Sequence, residues 1–471
     1  MSETTTSALA TTPAAVLERA STLRQSLGTE FREEAVKSIY AEAERIARRA
    51  VHARDGRAPD LDQRIDRIVT SPVFGLPIML VLLSVVFWLT IAGANVPSAL
   101  LADFLFWIEG HGVAAFQALG APWWLTGFLW EGVYRGLAWV VSVMLPPMAI
   151  FFPLFTILED LGYLPRVAFN LDFLFRKAGA HGKQALTMAM GFGCNAAGVI
   201  STRVIDSPRE RLIAILTNNF VPCNGRFPTL IMLATIFVAA QFPPVVASFA
   251  AAGAVVGIVL LGAVFTLAVS WLLSQTVLKG EASAFTLELP PYRRPSLLRI
   301  LYTSLIDRTV FVLLRAMMTA APAGAVIWLL GNIHAGEASL ARHVADFLQP
   351  LGYAIGLDGV ILLAYIIAIP ANEIVVPTMI MVYMGVGAMT ELDSLEALRA
   401  LLVDTHGWTM LTAVNLMLFA LLHNPCGTTI ITIYKETLSV RWAALGALLP
   451  LAIGFIVTFL TATAARLLGL V

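Results

Sequence analysis

Charged side chains are scarce in this sequence of 471 residues. They make up 13% of the chain, whereas hydrophobic residues make up 58%. A typical soluble domain has about 25% charged and about 45–50% apolar residues. A water-soluble fold cannot cover this much apolar surface, so the composition excludes a soluble protein and predicts one that lies in a membrane.

Three further absences narrow the class of protein. The first twelve residues contain no basic stretch followed by an apolar core, so no cleavable signal peptide is visible and we expect a cytoplasmic N-terminus. The formal net charge is zero and the basic residues are not interleaved with aromatic ones, which argues against a nucleic-acid partner. Only three cysteines are present, which suits a reducing compartment rather than a disulfide framework.

Two catalytic or nucleotide-binding motifs are also missing. No His-Glu-x-x-His sequence occurs, and the seven histidines form no pair four residues apart, which argues against a membrane-embedded metalloprotease or redox enzyme. No Gly-x-x-x-x-Gly-Lys-Ser/Thr sequence occurs either, so we expect this chain to bind no GTP by itself. A membrane receptor or anchor for a cytosolic partner is a rival interpretation from a different class.

Long uncharged runs dominate the rest of the chain. The run at residues 73–94 is 22 residues long and would measure about 33 Å as a helix, enough to cross a hydrocarbon core of about 30 Å. A shorter, glycine-rich run at residues 185–202 is typical of a re-entrant or broken helix. We predict an all-α polytopic membrane protein with about eight to ten transmembrane helices. Further apolar runs lie at about 123–157, 209–240, 245–278, 309–332, 350–369, 371–390, 408–434 and 442–468.

The most highly charged part of the chain is its N-terminus, where residues 1–70 hold 11 acidic and 11 basic side chains. Apolar residues at helical spacing predict an amphipathic helical prefix over residues 14–52, and a polar linker at 55–63 separates it from the membrane part. Loops rich in Lys and Arg, such as residues 166–183, are predicted to lie in the cytoplasm. The acidic loop at 391–404 is predicted to lie outside.

Each of the three cysteines lies in a break within an apolar run. The three contexts are Gly191-Phe-Gly-Cys-Asn195, Val221-Pro-Cys-Asn-Gly225 and Asn424-Pro-Cys-Gly427. Proline and glycine interrupt helical hydrogen bonding, and in a bilayer the freed backbone groups need protein, water or ion partners. An isolated buried cysteine is more often a small hydrophobic residue. Three cysteines in three breaks favour a transport pathway.

A fourth break, Ile369-Pro-Ala-Asn-Glu-Ile374, places an acidic residue in apolar sequence. An ionised carboxylate there costs about 2.5–3.5 kcal/mol, which a cation or an arginine sharing the site would offset. Together the thiols, the Glu373 carboxylate, the nearby asparagine amides and His423 would provide the mixed sulfur, oxygen and nitrogen ligands that a borderline-soft divalent cation such as Fe²⁺ accepts. The predicted pathway residues are Cys194, Cys223, Cys426, Glu373, Asn195, Asn224, Asn372 and His423.

Together these motifs resemble the membrane domain of the ferrous iron transport protein B (FeoB) family. Leu158-Glu-Asp-Leu-Gly-Tyr-Leu-Pro-Arg166 is similar to the family's Leu-Glu-Asp-x-Gly-Tyr-x-x-Arg signature. The breaks at Cys194 and Cys223 resemble the first of the family's two Gate halves, and the other two breaks resemble the second. The resemblance covers residues 64–465. One departure is Asn372-Glu373, where many relatives have Lys-Glu.

The resemblance implies a fold of two Gate-like membrane halves, which we place at residues 64–280 and 281–471, behind a cytosolic prefix at 1–63. It implies uptake of Fe²⁺ across the bacterial inner membrane, with the three cysteines as pathway ligands. Glu159 and Asp160 would then receive the ion at a cytosolic exit. Fe²⁺ is the transported substrate in this interpretation, and no cofactor is expected to be bound permanently.

The resemblance also implies partners. Members of the family normally begin with a GTPase domain, so we expect the GTPase to lie on a separate chain or to be dispensed with. A small accessory protein, membrane lipid and further copies of this chain are other expected partners. The alternative function is a Gate-type carrier for a nucleoside or other small solute, which would need aromatic and polar groups and has no use for three thiols.

Overall fold

The structure, a computed structural model, describes residues 31–50, 61–71, 73–280, 290–390, 392 and 394–469, together with 15–16, 18–19 and 22–23. These residues are almost entirely helical, as the composition predicts, and one small antiparallel hairpin pairs β1 (His334–Ala335) with β2 (Ala338–Ser339). The first helices are α1 (Phe31–Ala50), α2 (Leu61–Val69), α3 (Gly75–Ala118), α4 (Trp123–Thr126), α5 (Arg135–Asp160), α6 (Tyr163–Lys177), α7 (Gln184–Gly193), α8 (Asn195–Ser201), α9 (Pro208–Thr217) and α10 (Phe227–Leu233).

The second part of the chain repeats the mixture of long and short helices. Several helices are extended by a π-helical or 3₁₀ turn, such as Gly127–Tyr134 before α5 and Thr303–Val310 between α12 and α13. The remaining helices are α11 (Pro244–Gln275), α12 (Leu297–Tyr302), α13 (Phe311–Asn332), α14 (Leu340–Ala354), α15 (Gly359–Ile367), α16 (Val375–Met384), α17 (Leu395–Arg399), α18 (Met410–Leu422), α19 (Gly427–Thr437) and α20 (Val440–Leu467).

Within the described residues, six helical stretches are long and apolar enough to cross a membrane. A seventh results if α14 and α15, which meet at an angle of 111°, count as one bent span. The chain is therefore a multi-pass membrane protein, with six or seven such stretches among the described residues where the sequence predicts about eight to ten spans. Proline, glycine and asparagine divide the apolar runs at 209–240 and 371–390 into helices too short to cross a bilayer. The six stretches are Gly75–Ala118, Trp123–Asp160, Val246–Gln275, Leu297–Asn332, Met410–Thr437 and Val440–Leu467.

The four predicted breaks are real interruptions of helices, and they bond to each other in pairs. The amide of Asn224 donates to the carbonyl of Gly193 (3.4 Å), which joins the two breaks of the first half. The amide of Gly427 donates to the carbonyl of Ile369 (2.6 Å), which joins the two breaks of the second half. Backbone groups released by one break are thus satisfied by its partner, as a low-dielectric environment requires.

A buried ion pair fixes the short helix α2, which precedes the first span, to α6. Arg166 is only 1% exposed, and its Nε and Nη2 donate to the two carboxylate oxygens of Asp66 at 2.9 and 3.1 Å. Its Nη1 donates to the carbonyls of Gly162 (2.7 Å) and Pro290 (2.6 Å). The guanidinium lies 4.1 Å from the centre of the Tyr292 ring, whose hydroxyl donates to Asp66 at 2.8 Å. Three separate parts of the chain therefore meet at one cation.

This geometry shifts two ionisation equilibria on the same face of the protein. The hydrogen bonds from the Arg166 guanidinium hold the pKa of the Asp66 carboxyl below its usual range. Burial, together with the hydrogen bond to Asp66, raises the pKa of Tyr292 to about 12. The carboxylate therefore contributes stability at neutral pH, and that contribution declines only as the pH falls below about 3.9, the value for an unfolded chain.

The variant Asp66→Asn leaves the buried Arg166 cation without its carboxylate, so we expect it to lower stability by about 3 kcal/mol at pH 7. The measurement is the thermal unfolding midpoint of the purified protein in detergent. The control is Glu42→Gln, which removes an exposed pair with Arg45 on α1 and should change little. The difference between Asp66→Asn and wild type should shrink below pH 3.9; an equal effect of the two variants at pH 7 would contradict this account.

Candidate functional site

The four helix breaks converge on one small cavity between the two halves of the chain. Its volume is about 30 Å³, room for one or two water molecules or a bare metal ion. All three cysteines line it, although Cys194 and Cys426 are more than two hundred residues apart in sequence. We call it the thiol cavity; its lining residues are Met144, Met148, Gly193, Cys194, Asn195, Cys223, Asn224, Gly225, Val312, Ala316, Pro370, Ala371, Asn372, Glu373, Cys426 and Thr428.

Two of the cysteines lie directly before the helices that lead away from the cavity. Cys194 has an extended backbone (φ −156°, ψ 126°) and precedes α8, and Cys426 (φ −62°, ψ 157°) precedes α19. All three thiols are free, and the Cys426 sulfur lies 3.3 Å from the Thr429 hydroxyl. The extended residue at each helix start turns the chain so that the thiol is presented at the break instead of being packed along a helix.

The ligand types around the cavity are separated in space. Within the part of the chain that the structure describes, no three side chains of His, Cys, Asp or Glu are grouped closely enough to hold a metal ion. Two polar atoms of the lining, the Thr428 hydroxyl and the amide nitrogen of Asn372, are buried without a hydrogen-bond partner in that same part.

Glu373 lies at the junction of the thiol cavity and a larger one. The larger cavity, of about 390 Å³, shares only Gly225 and Glu373 with the thiol cavity. A β-carbon on Gly225 would overlap the Glu373 carboxylate, so glycine is needed there to make room for it. The other residues of the larger cavity are Trp139, Val143, Pro228, Thr229, Met232, Val376, Pro377, Ile380, Thr390, Leu392, Ser394, Leu395 and Leu398.

A buried arginine joins the two halves beside the thiol cavity. Arg226 is 2% exposed, and its Nη1 donates to the carbonyls of Asn219 and Leu421, both at 2.8 Å. Its Nη2 donates to the side-chain oxygen of Asn219 (2.9 Å) and to the carbonyls of His423 (3.3 Å) and Asn424 (3.4 Å). The carbonyls at the end of α18 have no helical partner because the helix breaks there. We call these contacts the Arg226 brace.

His423 lies behind the cavity and is not part of its lining. Its Nδ1 lies 3.0 Å from the carbonyls of Phe419 and Ala420, so this nitrogen carries the proton and donates. Its Nε2 lies 3.2 Å from Oδ1 of Asn372, whose side chain does line the cavity. The histidine thus packs directly against a lining residue. Its role as an ion ligand stays a prediction.

The asparagines of the first half are divided between lining and support. Asn195 and Asn224, two of the predicted residues, line the cavity. Asn218 supports this lining, because its side-chain amide donates to the backbone carbonyl of Asn195 at 3.0 Å. Glu159 and Asp160 are exposed at the end of α5 and do not belong to the cavity. Their role at a cytosolic exit stays a prediction.

Sequence reasoning missed Arg226, Gly225 and Thr428 as parts of the site. Arg226 carried a usable signal, since a charged residue next to a helix break in apolar sequence marks a functional or bridging position. Its hydrogen-bond partners could not be read from the sequence. They include the carbonyls of Leu421 and His423, which lie nearly two hundred residues away along the chain. Gly225 and Thr428 gave no sequence signal of their own and only lie next to residues of the predicted breaks.

Comparison with known proteins identifies the family. The Gate family, described as "Nucleoside recognition", matches residues 141–237 and 313–439, which include all four breaks. The family described as "Ferrous iron transport protein B C terminus" matches residues 255–307. The chain belongs to the FeoB family. No solved structure gives a significant match.

The FeoB relatives are similar over most of this chain. The "Fe(2+) transporter FeoB" of Staphylococcus aureus (strain MSSA476) is 30% identical over 420 residues, which cover 85% of this chain and 60% of the relative. A "Fe(2+) transport protein A/Fe(2+) transporter FeoB fusion protein" of Porphyromonas gingivalis is 28% identical, over 85% of this chain and 51% of the relative. The "Fe(2+) transporter FeoB" of Campylobacter jejuni is 26% identical, over 87% of this chain and 66% of the relative. The chain therefore spans about half to two thirds of the length of these relatives.

The variant Arg226→Gln removes the donors of the brace and leaves buried carbonyls of Asn219, Leu421 and Asn424 unsatisfied. At about 1 kcal/mol for each carbonyl, we expect a loss of about 3 kcal/mol in stability. The matched control is Arg315→Gln, which removes a guanidinium with one long contact to Thr432 (3.5 Å). Thermal unfolding in detergent measures both; an Arg226 variant as stable as the Arg315 variant would show that the brace contributes nothing.

Proposed function

We propose that this chain is the permease of a bacterial ferrous-iron uptake system. The observation that carries the proposal is that three thiols, a carboxylate and three side-chain amides from both halves line one ion-sized cavity. Sulfur ligands favour a borderline-soft divalent cation over alkali or alkaline-earth ions, which prefer oxygen. The names of the relatives support Fe²⁺ as that cation.

The pathway begins in the larger cavity, which we assign to the extracytoplasmic side. A hydrated cation would first meet the Glu373 carboxylate, the only acidic side chain that the two cavities share. It would exchange water for the carboxylate and then for the thiols of Cys223, Cys194 and Cys426 in a space too small for its hydration shell. It would leave between the basic loops, on the side where we place the cytoplasm and the N-terminus.

The carrier for a nucleoside or other small solute is less well supported. Drug-sized or nucleoside-sized ligands occupy pockets of about 300–1,000 Å³ that combine aromatic and polar groups. The thiol cavity is about a tenth of that size. The larger cavity has sufficient volume, but its lining is mainly aliphatic and contains none of the thiols. The FeoB relatives also favour iron.

The energy source and partners belong to the same proposal. We infer that the chain works in the bacterial inner membrane. The 471 residues contain no Gly-x-x-x-x-Gly-Lys-Ser/Thr motif, so a GTPase that acts with this membrane part would bind its nucleotide outside these residues. A small accessory protein is a second partner, supported by the Porphyromonas gingivalis relative in which transport protein A is fused to FeoB. Association with further copies and with membrane lipid is proposed in addition. Fe²⁺ is substrate, and no resident cofactor is required.

The direct test is uptake of ⁵⁵Fe²⁺ under reducing conditions by proteoliposomes that contain this chain alone. A triple variant, Cys194→Ser, Cys223→Ser and Cys426→Ser, should lose uptake to the level of empty liposomes because hydroxyls replace the soft ligands. Each of the three single variants should take up less ⁵⁵Fe²⁺ than the wild type. Wild-type uptake that persists unchanged in the triple variant would refute a thiol pathway.

Gly225→Ala tests the Glu373 position without removing any ligand. The new β-carbon would displace the carboxylate from the junction of the two cavities, and we expect uptake at low Fe²⁺ concentration to fall about tenfold, which corresponds to about 1.4 kcal/mol of binding. The matched control is Gly253→Ala on α11, where a β-carbon meets no atom within 4 Å. Equal uptake by the two alanine variants would remove Glu373 from the proposed route.

A further inference from the structure

The helices α8 and α19 connect the thiol cavity to one face of the protein. Asn195, the first residue of α8, and Thr428, the second residue of α19, line the cavity, and Cys194 and Cys426 directly precede the two helices. The two helices pack against each other. Both begin at the cavity and both end near the Arg203–Glu436 ion pair, so they run in the same direction. With seven and eleven residues they are about 10 and 16 Å long. An ion that leaves the cavity in this direction has to pass along the contact between them.

The face at which α8 and α19 end is the basic one. Arg203 follows α8, and Lys183, beside the start of α7, donates to the carbonyl of Val204 (2.9 Å) and to Asp206 (2.8 Å). Arg209 donates to the carbonyl of Leu278, just after the end of α11. We call this surface, defined by Lys183, Arg203, Arg209 and Arg211, the basic face.

Opposite charges join the two helices where they reach the basic face. The Glu436 carboxylate on α19 accepts from Arg203 of the first half through Nη2 (2.6 Å) and Nε (2.9 Å). It also accepts from Nη2 of Arg211 on α9 at 2.7 Å. The Glu436 side chain is 5% exposed, whereas that of Arg203 is 66% exposed. The carboxylate is therefore held inside the contact between the halves, and the arginines close over it.

An apolar layer lies between these charges and the thiol cavity. Val199 of α8 and Ile433 of α19 are fully buried against Ile215 and Ala443, and this group is separate from the two large hydrophobic cores. These four aliphatic side chains offer a hydrated cation no ligand in exchange for its water. The four residues therefore act as a plug in the present arrangement of the helices.

The opposite side of the thiol cavity is arranged differently. There the larger cavity of about 390 Å³ adjoins it at Glu373, and α10, which supplies Thr229 and Met232 to that cavity, leads toward the start of α11. Because the end of α11 lies at the basic face, its start lies at the opposite one. The thiol cavity thus has open space on one side and a plug with ion pairs on the other.

We infer that Glu436, Arg203 and Arg211, with the plug of Val199, Ile215, Ile433 and Ala443, form an exit gate that the structure holds shut. This inference rests on the proposed function for the direction of transport, although the closure itself is a property of the protein without iron. Opening requires α8 and α19 to separate, which breaks the ion pairs across the two halves. Glu436 and Arg203 are positioning residues of the gate and bind no ion in this state.

The native cysteines report directly on this gate, because the only three in the chain all line the thiol cavity. The experiment measures the rate at which a membrane-impermeant maleimide labels the full-length protein in sealed vesicles, from the basic face and from the opposite face. Glu436→Gln should raise labelling from the basic face about tenfold, since a weakened closed state shifts the population toward the open one. Labelling from the opposite face should stay unchanged, which also shows that the variant is folded.

Two further variants make the test specific. Arg203→Gln changes a largely exposed residue that the fold tolerates, and it should raise labelling from the basic face in the same direction. Asp206→Asn removes a pair with Lys183 on the same face but within one half, and it should leave labelling at the wild-type rate. Wild-type labelling that is equally fast from both faces, or Glu436 and Arg203 variants that match Asp206→Asn, would overturn the gate. None of these labelling measurements uses iron. Their outcome is therefore independent of the uptake experiment that tests iron transport.

Discussion

The structure depends on one buried cation whose two terminal nitrogens donate to the carbonyls of broken helices. Arg226 has no acidic partner among the described residues, and its five hydrogen bonds go to three backbone carbonyls of the second half and to the carbonyl and side chain of Asn219. Each helix break needs donors for its free carbonyls, and the guanidinium provides them in a fixed planar arrangement. The breaks that create the thiol cavity are stable together because this cation lies between them.

That positive charge also governs the chemistry of the cavity. A fixed guanidinium beside the site, and the helix start after Cys426, both disfavour a cation, so binding of Fe²⁺ requires negative charge from the pathway itself. In the proposed pathway Glu373 would supply it on one side, and thiolates formed as the ion binds would supply it inside, since metal binding to a cysteine releases a proton. The ion would then be bound strongly enough to enter and weakly enough to leave, which a site of separated ligands allows.

The sequence was informative about local features and silent about distant partners. Cysteine in Gly, Pro and Asn contexts predicted the breaks at Cys194, Cys223 and Cys426, and the structure brings all three to one cavity. The described residues contain fewer long apolar helices than the sequence predicts, because apolar composition alone does not show whether a run continues as one helix or is broken. The Arg226 brace and the pairing of Glu436 with Arg203 join positions about two hundred residues apart, and no periodicity encodes such contacts.

The central claim is that sulfur from the helix breaks contacts the transported ion. X-ray absorption at the iron edge of the purified protein, loaded with Fe²⁺ without oxygen, measures this directly. We expect sulfur neighbours in the first coordination shell of the wild type and only oxygen or nitrogen in the triple Cys194→Ser, Cys223→Ser, Cys426→Ser variant. A wild-type spectrum that already lacks sulfur and matches the variant would contradict the claim.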